Sequence, residues 1–129
     1  MKVRIRVEAW SEKDPYLRHH GMSIDSPLPK DWNKRPQYIA GTTSRKFVRD
    51  MEVDLRLGRH YVEYAPSSPC EPAYYWGAKI YVDGNLILEE RNLCLRRPAH
   101  AVFTVPPRPF LNRLFSRVKM VFVRIFRWR

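Results

Sequence analysis

The sequence predicts a mainly β protein: a single antiparallel β-sandwich of about seven strands, followed by a C-terminal basic amphipathic α-helix. Three observations carry this. Short runs such as "KVRIRVEAW" and "MEVDLRL" place apolar residues with a period of two. Gly, Pro and Asp-Gly separate those runs, with no alternation of strand and helix. Beyond Pro109 the apolar period becomes helical, and every charged residue is basic.

The elements follow in order. Val3, Ile5, Val7 and Ala9 alternate with Lys2, Arg4, Arg6 and Glu8, the pattern of a half-buried strand. Residues 11–37 contain Pro15, Pro27, Pro29 and Pro36 and no sustained period, so a long loop is expected, and loops of that length are often functional. Residues 38–48 are read as a second strand pair. Met51, Val53, Leu55 and Leu57 then face one way and Glu52, Asp54 and Arg56 the other, with Gly58 permitting a turn or bulge. "HYVEYA" continues as a strand, "SSPCEP" is a loop, and "YYWGAKIYV" puts Trp76, Ala78, Ile80 and Val82 on one face. Asp83-Gly84 signals a type I′ hairpin into "NLILEE". "NLCLRR" and "HAVFTV" add short strands, and Pro106, Pro107 and Pro109 end the sheet. The domain organisation expected is a sandwich over 1–107, with its long loop at 11–37, and a tail over 108–129.

Around "VDLRLGRHYVEYA" and "KIYVDGNLI" the sequence resembles small β-sandwich modules of the carboxypeptidase-regulatory or PEGA type. Leu55, Leu57, Gly58, Tyr61 and Val62 carry the resemblance, which covers about a quarter of the chain. It implies an accessory or binding module and no catalytic residue. A second Gly-Tyr signature is missing, and the 11–37 segment has no counterpart in such modules.

The net charge is +11, unevenly spread. Residues 1–107 hold 17 Lys/Arg against 13 Asp/Glu, while residues 108–129 hold 7 Lys/Arg and no acid. An anionic partner for the tail follows: membrane headgroups, an acidic protein or nucleic acid. No apolar run of about 18 residues predicts a transmembrane helix, and the N-terminus lacks the apolar core of a signal peptide. Cys70 and Cys94 are too few for a disulfide scaffold and are expected as reduced thiols of a cytoplasmic protein, peripheral at the membrane; a single bond between them is the alternative.

No catalytic constellation is apparent, and neither a metal nor a cofactor is expected. His19 and His20 are expected as exposed loop histidines rather than zinc ligands, for want of paired ligand spacing. His60 and Glu63 fall on opposite strand faces, Glu89 and Glu90 diverge, and no Gly-rich phosphate loop exists. His100 near Cys94 is the one nucleophile arrangement left open; a small hydrolase or metal-dependent enzyme is the third class of function. In "DWNKRPQY", Trp32, Lys34, Arg35 and Tyr38 interleave aromatic and basic character, suited to nucleic acid, carbohydrate or protein contact; the alternative has Trp32 and Tyr38 capping the core.

The tail closes the reading. On a helical wheel Leu111, Leu114, Phe115, Val118, Phe122, Ile125 and Phe126 share one arc, and Arg113, Arg117, Arg124 and Arg127 lie opposite. Met120, Val123 and Trp128 interrupt the basic face, and a strand over "VKMVFVRIF" is the alternative. Leaving such an apolar arc in water would forgo about 1.5–3 kcal/mol per side chain. It must pack on its own sheet, on a second copy, or into a membrane surface, where Trp128 suits the interface. The reading is a non-catalytic binding or assembly module whose tail contacts an anionic membrane surface or an acidic protein. The alternative is a nucleic-acid-binding protein using the tail arginines and the Trp32–Tyr38 loop.

Overall fold

Strand β1 (Lys2–Trp10) lies inside its sheet, and its alternation is the reason: Val3, Ile5, Val7 and Ala9 are almost wholly buried, while the charged set faces outward. The structure, a computed structural model, describes residues 1–39 and 45–106, with the backbone alone for Trp32 and Ile39. The remaining strands are β2 (His19–Ile24), β3 (Gln37–Ile39), β4 (Lys46–Asp54), β5 (Gly58–Pro66), β6 (Trp76–Val82), β7 (Asn85–Leu93) and β8 (Ala99–Val105). They form two four-stranded antiparallel sheets, ordered β4-β1-β6-β7 and β3-β2-β5-β8. Among the described residues there are eight strands, in keeping with the expected seven or so, with two short 3₁₀ turns at Trp32–Lys34 and Pro72–Tyr74.

The inner faces meet in one apolar core. Ile5, Val7, Trp76, Ile80 and Leu93 from the first sheet face Val62, Tyr64, Ala99 and Phe103 from the second. Burying each large side chain contributes about 1.5–3 kcal/mol. The Asp83-Gly84 hairpin forms as expected, with φ of 47° and 81°.

The segment 11–37 departs most from expectation. Instead of a structureless loop it contains β2, an interior strand between β3 and β5. The period was hidden because β2 is covered on both faces. His20 and Met22 enter the core, while residues 25–36 fold back over the outer face, with the Leu28 and Arg35 side chains close to Gly21. Residues 38–48 are not a strand pair: β3 ends at Ile39 in one sheet, and β4 begins at Lys46 in the other. Leu57 does not continue the apolar face of β4; the strand stops at Asp54 and Leu57 is 73% exposed in the following turn. "NLCLRR" gives only the end of β7 and an isolated bridge from Cys94 to Arg97.

Cys70 and Cys94 are bonded to each other rather than free. Their bridge clamps the β5–β6 loop to the end of β7. This defines a disulfide end of the sandwich, which also holds the β1–β2 loop. At the opposite end lie the N-terminus, the turn after β4, the β6–β7 hairpin and the end of β8. The N-terminal ammonium is fixed there by Asp54 Oδ1 and the Leu55 carbonyl, both at 2.8 Å. Residues 108–129, and with them the expected helix, lie outside the described residues.

Candidate functional site

The polar groups weighed as candidates for chemistry are largely occupied in holding the fold. His20 is not an exposed loop histidine. Its neighbour His19 points outward, but His20 is buried in the core, stacked on Phe47 with centroids 4.2 Å apart and edge-on to Trp76. Its Nδ1 lies 2.6 Å from the Tyr64 hydroxyl. Burial lowers the His20 pKa to about 3, so the ring is neutral at ordinary pH. Asp14, also buried, accepts hydrogen bonds from Arg18 Nε (2.7 Å), Arg18 Nη2 (3.1 Å) and Trp76 Nε1 (3.0 Å). Burial pushes its carboxyl up, but these donors and the Tyr16 amide outweigh that and hold it below the usual range. Arg18 also lies over the Tyr16 and Tyr74 rings, fixing the β1–β2 loop.

His60 and Glu63 make separate bonds, as their opposite strand faces require. Glu63 accepts from the Leu28 amide and contacts His100, which is thereby engaged with Glu63 rather than with a cysteine thiol. Glu89 contacts Lys79 on the outer face. Among the described residues no group of His, Cys, Asp and Glu is arranged to hold a metal.

The expected loop site does not assemble as a set. Arg35 is 8% exposed and points inward, where Nε donates to the Pro29 carbonyl at 2.6 Å and Nη2 to the Leu95 carbonyl at 3.1 Å. Its guanidinium fastens the 25–36 segment across the second sheet. Lys34 is exposed on the 3₁₀ turn; the Trp32 side chain lies outside the described residues. Tyr38 packs against the core with Arg49 over its ring, in keeping with a capping role. Arg113, Arg117, Arg124, Arg127 and Trp128 also lie outside the described residues.

A different surface stands out where β8 ends. Gly58, at φ 123°, pairs with Val105, and Arg59 pairs with Thr104, so the turn after β4 sits beside the point where the chain leaves the sandwich. Leu57 projects from that turn between exposed Arg56 and Arg59, neither of which makes an ion pair among the described residues. Three carboxylates at this end are taken by other cations, Asp54 by the N-terminal ammonium, Glu52 by Lys2 and Asp25 by His60, while Asp83 of the hairpin accepts from the Arg4 amide.

His60 holds the turn in place. Its Nδ1 donates to Asp25 Oδ2 at 2.6 Å and its Nε2 to the Arg56 carbonyl at 2.7 Å. Both partners are acceptors, so the geometry suits a doubly protonated ring, and the Asp25 bond followed by the Arg56 carbonyl raises its pKa. The available signal in the sequence was an apolar residue between two arginines directly before a glycine. It was absorbed into the strand pattern of β4.

The sequence matches no protein-family model and no curated protein. The likeness to carboxypeptidase-regulatory and PEGA modules therefore rests on Leu55, Leu57, Gly58, Tyr61 and Val62 alone.

Proposed function

We propose that this protein is a non-catalytic binding module that docks on an anionic membrane surface through the end of the sandwich from which its basic tail departs. The observation that carries the reading is Leu57, 73% exposed between Arg56 and Arg59 beside the end of β8. An apolar tip flanked by cations suits a lipid interface: the tip enters the acyl boundary while the cations meet headgroups. The tail that follows β8 in sequence carries 7 Lys/Arg and no acid. Each cation near an anionic surface contributes about 1 kcal/mol.

The disulfide favours an oxidising compartment over the cytoplasm, so the surface in question faces that compartment. Among the described residues no helix is long and apolar enough to cross a membrane, and the reading is of peripheral attachment. An acidic protein partner is served by the same cations and can also cover Leu57, so vesicle binding is what separates the two readings. The nucleic-acid reading loses Arg35, whose guanidinium is buried against backbone carbonyls.

Co-sedimentation of the full chain with vesicles tests this. Binding is expected to vesicles containing phosphatidylglycerol, to fall as salt rises, and to be absent with neutral lipid. Leu57→Asp is expected to weaken binding without changing the melting temperature. An intact protein that ignores anionic vesicles at low salt would refute the reading.

A further inference from the structure

At the disulfide end, away from the surface just described, lies an open crevice of about 190 Å³. We infer that this crevice is a binding site for one acidic sugar residue, a pyranose carrying a carboxylate or sulfate.

Three features show that the crevice is built into the fold. First, its aromatic wall is fixed. Trp10, the last residue of β1, lies across Gly77 of β6 so closely that a Cβ at Gly77 would sit 2.6 Å from indole Cζ2. Glycine at this position is what allows the indole to lie against the sheet.

Second, the opposite wall is a β-bulge. Trp76 pairs with Leu93 and Ala78 with Glu90, so Gly77 alone opposes Arg91 and Asn92. Asn92 accommodates the extra residue with φ of 62°, a conformation that Asn tolerates better than most residues. Bulges of this kind re-aim side chains at strand ends, and here they deliver Arg91 and Asn92 to the crevice.

Third, the width is clamped. Tyr75 belongs to the β5–β6 loop and Asn92 to β7, and the Cys70–Cys94 bond joins that loop to the residue after β7. Ser11 ties the same loop to β1 by donating to the Tyr75 carbonyl at 3.0 Å. A site held on both sides loses less entropy on binding.

The lining selects the ligand class. Trp10, which rests on Gly77 and has Lys79 Nζ 6.0 Å from its ring centroid, and Tyr75 supply aromatic surface within a mainly polar lining, and the C–H face of a sugar ring can lie against the part they leave open. Around them Glu12 offers an acceptor, Lys13 and Arg91 offer donors, and Asn92 offers both. That mixture matches ring hydroxyls, which donate and accept. Lys13 and Arg91 outnumber Glu12, which favours a negative substituent on the ring. A nucleotide is less well served, because no glycine-rich cradle is present to hold its phosphates.

The test uses the full-length, isotope-labelled chain titrated with three disaccharides: glucuronate-bearing, sulfated and neutral. The acidic sugars are expected to shift the Gly77 and Asn92 amides and the Trp10 indole N–H. Trp10→Ala is expected to weaken binding about tenfold or more. Arg91→Glu, an exposed change that spares the core, is expected to remove the preference for acidic over neutral sugar. If only the glucuronate or only the sulfated sugar binds, that substituent is the one recognised. Absence of shifts at millimolar acidic sugar would overturn the proposal. So would shifts that persist undiminished in both variants, because binding would then lie elsewhere, on the basic tail for instance.

Discussion

His20 Nδ1 and the Tyr64 hydroxyl lie 2.6 Å apart in the core, a polar pair stacked among Phe47 and Trp76 between the two sheets. The other ring nitrogen of His20, Nε2, is buried without a hydrogen-bond partner. Burial also lifts the Tyr64 pKa well above its usual value. Neither side chain can take on charge without desolvation, so the pair is stable only in its neutral form.

Acid should therefore destabilise the domain. The His20 pKa is about 3 in the folded protein, lowered first by burial and then by the charge of His19, against about 6.5 in an unfolded chain. Between those values the unfolded state binds more protons, so stability falls as pH drops from about 6.5 towards 3, by roughly 3–5 kcal/mol in all. Asp14, with its lowered pKa, adds to the loss at the acid end of that range. Urea melts at successive pH values check this; His20→Phe should flatten the profile near pH 5.

On the alkaline side His60 acts in the opposite sense. Its folded pKa is raised, so its contribution is fully present below about 6.5 and is lost as pH rises through the folded value. What is lost is one of two donated bonds, and the consequence falls on the Arg56–Gly58 turn. Amide hydrogen exchange in that turn should quicken with pH beyond the intrinsic increase. His60→Gln should remove the extra dependence.

Gly77→Ala should destabilise the protein by about 1–3 kcal/mol, because the new methyl collides with the Trp10 indole. The collision is pairwise, so Trp10→Ala in the same chain should relieve most of the added cost. A double-mutant cycle measured by denaturant melts gives the coupling. Additive single effects would show that Trp10 does not rest on Gly77.

Gly84→Val should cost about 1–3 kcal/mol from backbone conformation alone. At φ 81° Gly84 needs the left-handed region, yet nothing lies within 4 Å of where its Cβ would be. Gly84→Asn, which tolerates that conformation, should recover much of the loss in a thermal melt.

Reduction of the Cys70–Cys94 bond, or Cys94→Ala with Cys70→Ala, should lower stability by about 3 kcal/mol for a closed loop of this size. It should also loosen the crevice between Tyr75 and Asn92, read as line broadening at Asn92. A melting temperature indifferent to reductant would show that the bond adds no constraint.

The legible parts of the fold were those whose burial depends on one face only. Val3 to Ala9 and Trp76 to Val82 alternate because their outer faces meet water, and the Asp83-Gly84 turn needs only local chemistry. β2 was illegible because the folded 25–36 segment supplies the cover over Gly21, a contact with no local period. His20 misled by type: a histidine counts as polar until a tyrosine beyond 40 positions along the chain satisfies it. Arg35 misled in the same way, since its acceptors are the carbonyls of Pro29 and Leu95. The crevice was invisible because Trp10, Gly77 and Asn92 meet only across three strands.

The outer edge of β7 bears on how copies of this molecule can meet. An open strand invites another chain to pair with it and so begin polymeric growth. Here the edge carries Glu89, Glu90 and Arg91 in succession, all exposed, and is broken by the bulge at Arg91 and Asn92. The far edge of the second sheet, β3, is only three residues long. Both offer poor templates for an incoming strand, so growth by strand addition is disfavoured at these two edges. Copies can then crowd together along these two edges without fusing their sheets there.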